Sequence, residues 1–227
     1  NNQISGMVPK EMRKLNKLHS LNLSYTDISG PFFEGIEGLC DLESLQLIGC
    51  PNITSISENI KYLQKLSMLR VSGSISKRIN CSLPSTIGEC KALREIEFAW
   101  ANAENEIPRS IGALSNLTYL NLYNANYKGS IPVEISNCHN LKVLDLQENN
   151  LSGGLPTQIG KMNSLRQIIL MKNHLTGDIP KSLLDNKTLW SRCWAMVMYG
   201  NNFNNCYIPA PQFTVKGYYG NTINSES

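Results

Sequence analysis

The sequence has few charged or aromatic residues and no long apolar run. Charged residues make up 17% and aromatic residues 7% of its 227 residues, and no segment approaches the ~20 apolar residues of a membrane-spanning helix. A net charge of +3 is too balanced to imply a nucleic acid or an anionic membrane as partner. Hydrophobic residues nevertheless reach 41%, so the chain is predicted to fold rather than to remain disordered.

The sequence also lacks the usual motifs of metal sites and enzymes. Its seven cysteines include no C-x-x-C pair, and none of its three histidines lies near another ligand at a metal-binding spacing. No G-x-S-x-G, Walker or dinucleotide fingerprint occurs. We therefore expect no metal, no cofactor and no enzymatic activity.

A repeat of about 24 residues runs through most of the chain. When the chain is aligned on the pair Leu-x-Leu, the second members lie 24, 24, 27, 24, 24, 24 and 28 residues apart. Two more apolar positions precede each pair at a spacing of three, which gives L-x-x-L-x-x-L-x-L. The second members are Leu23, Leu47, Val71, Phe98, Leu122, Leu146, Leu170 and Met198.

This pattern predicts a stack of short parallel strands. In Leu-x-Leu both leucines point to one face of a strand. One such strand cannot bury its face alone, whereas stacked copies form a continuous core and a parallel sheet with ~4.8 Å between strands. Turn signals with proline, such as Ile131-Pro132 and Leu155-Pro156, are expected on the convex return path.

Two segments carry a more specific pattern. Leu141–Lys161 contains Asn-Asn-Leu-Ser-Gly after its Leu-x-Leu pair, and Leu165–Pro180 ends in Leu-Thr-Gly-Asp-Ile-Pro. The sequence thereby resembles the plant-type leucine-rich repeat of receptor-like kinase ectodomains and polygalacturonase-inhibiting proteins. The resemblance covers residues 1–209 and leaves residues 210–227 as a tail. It implies an α/β solenoid, a right-handed array with one parallel β-sheet on the concave face and irregular or 3-10 segments on the convex side.

The array departs from this family at both ends. Residues 2–6 begin in the middle of a repeat, and the family's N-terminal cysteine-bearing cap is absent. We therefore expect upstream residues in the native chain, or a packing partner at the uncapped N-terminal end. The last repeat, Trp190 to Pro209, is degraded, and analogy with the family's end-of-array bridges implies a disulfide between Cys193 and Cys206.

Repeat arrays of this kind bind on the concave face, where the residue between the two leucines points outward. Trp100, Tyr119 and Tyr123 are predicted to cluster there among carboxylates, and exposed aromatics beside charges are typical of hot spots. The acidic centre favours a basic or amine-bearing partner. Glu95 and Glu97 could form an acid–base pair, but an open sheet gives no pocket to shift their pKa values. The predicted ligand-binding residues are Arg70, Glu95, Glu97, Trp100, Tyr119, Asn121, Tyr123, Asp145 and Glu148.

Asn-x-Ser/Thr sequons agree with a secreted or cell-surface protein. Asn22 is expected to stay unmodified because it lies between two core leucines of the concave strand. The predicted glycosylation sites are Asn52, Asn80, Asn116, Asn150 and Asn186.

The favoured function is a non-enzymatic extracellular recognition module that binds a protein, peptide or glycan partner on its concave face. Inhibitors of cell-wall hydrolases share the architecture, so a protein linked to cell-wall glycans is one such partner. The alternatives are a structural or assembly protein packed into a larger complex, or a hydrolase inhibitor of the same repeat family. Ice binding is disfavoured because it needs a regular ladder of small polar residues, and the position after each pair varies from Ser24 to Met171.

Overall fold

The protein is described by a computed structural model, which covers residues 4–32 and 36–204. Within these residues, eight parallel strands form one continuous sheet, and each strand is built on a Leu-x-Leu segment. Neighbouring strands are one repeat apart in the sequence and pair in register. The strands are β2 (Ser20–Asn22), β4 (Ser44–Ile48), β6 (Met68–Ser72), β7 (Glu95–Ala99), β8 (Tyr119–Asn121), β10 (Val143–Asp145), β12 (Gln167–Ile169) and β14 (Ala195–Val197).

Short second strands follow the main strands and form two smaller parallel sheets, which the sequence analysis did not anticipate. One sheet contains three strands and the other contains four. Among the described residues, the repeats with residues 74–82 and 101–106 lie between the two sheets and have only isolated β-bridges at this position. The three-stranded sheet contains β1 (Ser5–Gly6), β3 (Asp27–Phe32) and β5 (Asn52–Ile56). The four-stranded sheet contains β9 (Lys128–Gly129), β11 (Asn150–Gly153), β13 (His174–Gly177) and β15 (Asn202–Phe203).

The convex side consists of short helical turns, most of which begin directly after a proline. The ring of proline fixes φ and directs the chain into the turn, as at Pro108 and Pro132, whose φ values are −63° and −66°. The 3-10 helices are Lys10–Lys14, Ile36–Gly38, Glu58–Tyr62, Ser85–Glu89, Arg109–Ala113, Val133–Asn137 and Thr157–Lys161. The last repeat has α1 (Lys181–Leu184) and α2 (Lys187–Trp190) instead.

The predicted column of apolar residues forms the core. Residues from Leu47 to Leu170 in the column are fully buried, and Met198 is 5% exposed. Leu23 is only partly buried because few described residues cover the first repeat. The fold class predicted from the repeat is therefore confirmed, as is a parallel sheet on Leu-x-Leu pairs. The predicted tail at 210–227 lies outside the described residues.

Buried asparagines hold the turns that leave the strands in the C-terminal repeats. The Asn149 side-chain amide donates to the carbonyls of Leu122 (2.8 Å) and Leu146 (3.0 Å), while its Oδ1 accepts from the backbone amides of Ala125 and Tyr127. Asn173 and Asn201 repeat the arrangement. Near the N-terminus, Thr26 and Cys50 occupy this position and each donates to the carbonyl of Leu23.

Close packing of successive convex turns requires glycine at one position of the repeat. A Cβ added to Gly112 would lie 2.3 Å from the Glu134 carbonyl oxygen, and one added to Gly88 would lie 2.1 Å from that of Ser110. Both distances are far below van der Waals contact, so an alanine there would push the turns apart. Within the described residues, no helix is long and apolar enough to cross a membrane.

Candidate binding site on the concave face

Strand register aligns the predicted site residues into two rows across the concave face. Arg70 lies opposite Glu97, Glu97 opposite Asn121, and Asn121 opposite Asp145. In the second row Glu95 lies opposite Tyr119. Because directly opposite residues of neighbouring strands have adjacent side chains, the strand register brings these predicted residues together on the concave face.

An aromatic pair stands at the end of two central strands. The rings of Trp100 and Tyr123 meet edge to face with their centroids 5.1 Å apart, at an interplanar angle of 72°. Both side chains are half-buried, and burial raises the pKa of the Tyr123 hydroxyl. Trp100 has φ +51°, and Tyr25, Asn124, Glu148 and Lys172 also have positive φ at this position of their repeats. The backbone conformation therefore belongs to the repeat, and the distinguishing feature of the pair is its large aromatic contact area.

Arg70 neutralises much of the predicted acidic centre. Its Nη2 donates to Glu95 Oε2 at 3.1 Å, and its Nε lies 3.8 Å from Glu97 Oε2. All three side chains are partly exposed, so this network lies open to a ligand. Arg70 Nε is buried and makes no hydrogen bond within the described residues, so contact with a ligand falls to the exposed part of the guanidinium.

Asp145 differs from the prediction, which treated its carboxylate as accessible. The residue is only 8% exposed because its carboxylate is held by Gln147, whose backbone amide and Nε2 donate to it at 3.1 and 2.9 Å. Burial raises the pKa of Asp145 to about 6, and the bonds from Gln147 oppose that rise. Asp145 therefore forms part of the floor of the site rather than a projecting charge.

Glu148 is also paired within the protein. Its Oε1 accepts from Lys172 Nζ at 2.5 Å, and its Oε2 accepts from the amide of Asn124 at 3.3 Å. Tyr119 accepts a hydrogen bond from Asn121 Nδ2 at 3.2 Å, and burial raises the pKa of its hydroxyl. The concave face thus has less unpaired negative charge than the sequence indicated, and the expected preference for a basic partner is weaker.

Arg78 was not predicted from the sequence, and it holds the backbone next to the aromatic pair. This residue lies within residues 74–82, where the repeat spacing of 27 residues corresponds to an insertion of three residues, and it reaches two repeats along the array. Its guanidinium donates to the carbonyl oxygens of Ala101 and Asn124, at 3.1 Å each, and to Asn124 Oδ1. These acceptors directly follow Trp100 and Tyr123 in the chain. The length of the insertion was the only signal in the sequence for such a residue.

The predicted modification sites differ in accessibility. Asn80, Asn116 and Asn150 are exposed, whereas Asn52 and Asn186 are half-buried. Asn186 also caps α2 by accepting from the backbone amide of Leu189 at 2.9 Å. Their glycosylation stays a prediction, and the predicted Cys193–Cys206 disulfide includes a cysteine outside the described residues. Among the residues that the structure covers, no group of three His, Cys, Asp or Glu side chains is placed to hold a metal ion.

Comparison with known proteins identifies the class to which this fold belongs. The family model described as Leucine Rich Repeat matches residues 116–138 and 140–162. Together with the solenoid and its similarity to plant receptor structures, this match shows that the chain is a leucine-rich repeat protein of the plant type. A comparison with curated proteins found no match.

Several solved plant structures share the fold. The plant peptide hormone receptor RGFR1, solved in complex with RGF2, is 31% identical with a TM-score of 0.80 over 89% of this chain and 32% of that one. The Arabidopsis receptor kinase HAESA ectodomain, solved with an IDA peptide hormone ligand, is 26% identical with a TM-score of 0.76 over 89% and 33%. A plant ice-binding protein at 24% identity and a TM-score of 0.68, over 77% and 54%, shows the fold alone. The chain therefore spans about a third of the two receptor chains.

Proposed function

We propose that this chain is a non-enzymatic, extracellular recognition module that binds a peptide or protein segment along its concave face. The observation that carries the proposal is the edge-to-face pair of Trp100 and Tyr123, which lies beside the Arg70 network. Large rigid aromatics provide contact area at a small entropic cost, and charged groups next to them fix the orientation of a ligand.

The relatives support a peptide as the ligand. RGFR1 and HAESA were solved with peptide hormones, and their ectodomains resemble this chain over most of its length. The site residues form rows that run across the strands of an open face and do not line a closed pocket. An extended peptide fits such a face. The Arg70 guanidinium, which is partly exposed beside Glu95 and Glu97, would donate to a backbone or side-chain carbonyl of such a peptide.

The test begins with the immobilised chain, which captures peptides from the extracellular fluid of its source; a captured peptide is then synthesised and titrated by calorimetry. Trp100→Gly and Tyr123→Ala should each weaken its binding by about 2 kcal/mol or more. Tyr62→Ala is the matched control because Tyr62 is 51% exposed on a convex turn. Equal affinities, within about 0.5 kcal/mol, for wild type and both concave variants would place the site elsewhere.

A packing role for the N-terminal end is the second candidate. The first repeat exposes apolar side chains, with Met7 64%, Leu15 52% and Ile4 45% accessible. A partner that extends the two sheets there would cover these side chains and pair the free edge of β2. Light scattering at increasing protein concentration tests this candidate, since self-association should increase with concentration and be reduced by Met7→Lys.

A further inference from the structure

A groove on the flank of the array lies where the second row of strands is interrupted. Its volume is about 510 Å³, and none of the described residues that line it belongs to the main sheet. β5 contributes one side, and residues within 80–85 and 102–108 of the next two repeats contribute the rest. This flank groove is therefore a surface separate from the concave site.

The strand β5 pairs with another strand along one edge only. β3 pairs with it on one side, and on the other side no described residue of the next repeat forms a β-bridge with it. That next repeat bonds the following one instead, since the backbone amide of Asn102 donates to the Ile79 carbonyl at 2.8 Å. β5 contains neither lysine nor proline, the residues that commonly block a free strand edge. Its free edge can therefore accept a further strand.

Contacts at both ends of β5 bridge the opening beside this edge. At the start of the strand, Lys77 Nζ donates to Asn52 Oδ1 at 2.6 Å. Beyond its end, the Glu58 carboxylate accepts from the backbone amides of Ser85 and Thr86 at 3.0 and 2.8 Å. Between these contacts β5, with five residues, offers an edge ~17 Å long. The opening therefore fits a short extended segment of polypeptide.

The core beneath the flank groove fixes its lining. Tyr127 is fully buried, and its hydroxyl accepts from the backbone amide of Leu83 at 3.1 Å. At the surface, the side-chain amide of Asn105 donates to Ser82 Oγ at 2.9 Å. Because these contacts already order the lining, binding requires little further ordering of the protein, which favours affinity.

The charged side chains that line the flank groove are both acidic. Glu58 and Glu106 are exposed, and no ion pair within residues 4–32 and 36–204 includes either of them. Burial would raise the pKa of Glu58, but the hydrogen bonds from Thr86 and Ser85 outweigh it and lower this pKa. Charge complementarity therefore favours a basic segment. A second copy of this chain would bring the same carboxylates to the edge, and like charges oppose such pairing.

We propose that an extended, basic segment of a partner protein binds the flank groove by adding a strand to the free edge of β5. Its backbone pairs with β5, which provides affinity, and its arginine or lysine side chains contact Glu58 and Glu106, which provides specificity. Asn80 lines the groove, and its Oδ1 accepts from the side-chain amide of Asn102 at 2.9 Å. A glycan on Asn80 would occupy the same space, so the proposal requires this sequon to be unmodified.

The test titrates the intact protein with a fluorescent probe peptide and follows its anisotropy. The probe has about seven residues, alternating threonine and valine with arginine at both ends, which is long enough to span β5. We expect saturable binding that weakens as salt increases. Methylation of alternate backbone nitrogens of the probe should weaken binding at least about tenfold, because those amides can no longer pair with β5. Bound probe should slow hydrogen exchange at residues 54–57 but not at 150–153.

Charge variants test the contact with the two carboxylates. Glu58→Gln/Glu106→Gln should bind the probe about tenfold more weakly, since two exposed ion pairs are lost. Glu11→Gln/Glu89→Gln is the matched control, because it removes the same charge from exposed positions outside the flank groove. This control should change the affinity less than about twofold.

A steric pair of variants tests the place of binding. Thr54 is exposed, lines the flank groove and is skipped in the pairing with β3, so Thr54→Arg should abolish binding of the probe without breaking that pairing. Ser152→Arg is its control, since Ser152 is also exposed and also directly follows the buried apolar residue of its strand. Trp100→Gly should leave the affinity for the probe unchanged, which separates this site from the proposed concave one.

Several results would overturn the proposal. No saturable binding at low salt, or equal binding of the methylated probe, would exclude strand addition at β5. Equal weakening by the two charge variants would assign the effect to net charge, and a loss in Trp100→Gly would assign it to the concave face. Dimers that light scattering detects and that Thr54→Arg disrupts would assign the edge to a second copy. A glycan found on Asn80 by peptide mass spectrometry would also exclude the site.

Discussion

Trp100 occupies the left-handed backbone position that follows each concave strand. Its φ is +51°, and this position is glycine in two other repeats, Gly49 and Gly200 with φ +67° and +70°, but Tyr25, Asn124, Glu148 and Lys172 in four more. A residue with a Cβ is strained there by about 1–2 kcal/mol. We expect Trp100→Gly to be more stable than Trp100→Ala by about 1 kcal/mol, measured by urea unfolding. Equal stabilities of these two variants would show that a Cβ in this left-handed conformation causes no measurable strain.

Asp145 gives the protein a pH dependence of stability. Its pKa is raised to about 6 from 3.8, so between these values the native state binds more protons than the unfolded state. The extra stability is therefore fully present below about pH 4 and is lost as the pH rises through about 6. The loss from this residue amounts to at most about 3 kcal/mol, visible as a lower unfolding midpoint at pH 7 than at pH 5.

Asp145→Asn separates this effect from the other carboxylates. The amide can still accept from the Gln147 backbone, so the variant should be more stable than wild type at pH 7 and lose most of this pH dependence. Asp41 gives the opposite case, because the hydrogen bond from Lys65 lowers its pKa. Asp41→Asn should leave the dependence between pH 5 and 7 unchanged. An unchanged pH profile in Asp145→Asn would show that the carboxylate is better solvated than its burial indicates.

Leu146 directly follows the strand β10 and belongs to the buried apolar column. None of its surface is exposed to solvent. Leu146→Ala should lower the free energy of unfolding by about 2–5 kcal/mol, because the cavity cannot be filled by neighbouring rungs. Leu23→Ala provides a matched control in the same column, where the side chain is only partly buried. We expect Leu23→Ala to lower the free energy of unfolding clearly less than Leu146→Ala. Equal losses would show that Leu23 is as well buried as Leu146.

The insertion between Ser74 and Ser82 depends on Arg78 for its attachment to the array. Its guanidinium satisfies three acceptors on two later repeats, and loss of bonds to a charged group typically costs about 1–3 kcal/mol. Arg78→Gln should therefore destabilise the protein by that amount and speed hydrogen exchange at Asn102, whose amide bonds the Ile79 carbonyl. Arg78→Lys should not restore protection, since one ammonium cannot reach the same acceptors.

Sequence pattern predicted the strands, the core column and the rows of the site for a specific physical reason. Leu-x-Leu alternation fixes which side chains point inward, and a constant repeat fixes which residues lie opposite one another, as with Glu97 and Asn121. Burial of Asp145 and pairing of Glu148 with Lys172 depend on side-chain rotamers that no pattern encodes. Arg78 escaped prediction because its contacts with Asn124 are 46 residues away in sequence, about twice the repeat length.

Across the whole molecule, the convex glycines set how closely the repeats stack. Gly112→Ala places a Cβ 2.3 Å from the Glu134 carbonyl oxygen, and the resulting overpacking should cost about 1–3 kcal/mol. Gly154→Ala is the matched control, because its Cβ would meet no heavy atom closer than 3.8 Å. Thermal unfolding measures the stability of both variants. If Gly154→Ala loses as much stability as Gly112→Ala, the cause is the lost flexibility of glycine and not the close contact with the Glu134 carbonyl.

The buried asparagine ladder has a consequence for how the protein carries mechanical load. Most hydrogen bonds between repeats join direct neighbours, with exceptions such as Arg78 to Asn124, so we expect a chain pulled from both ends to yield one repeat at a time. Each release of about 24 residues lengthens the tether by roughly 80 Å. The repeats at Thr26 and Cys50, whose side chains each bond the Leu23 carbonyl, yield at lower force than those clamped by Asn149 and Asn173. Stretching therefore extends the N-terminal repeats first, while the face with Tyr123 and the repeats after it keep their shape.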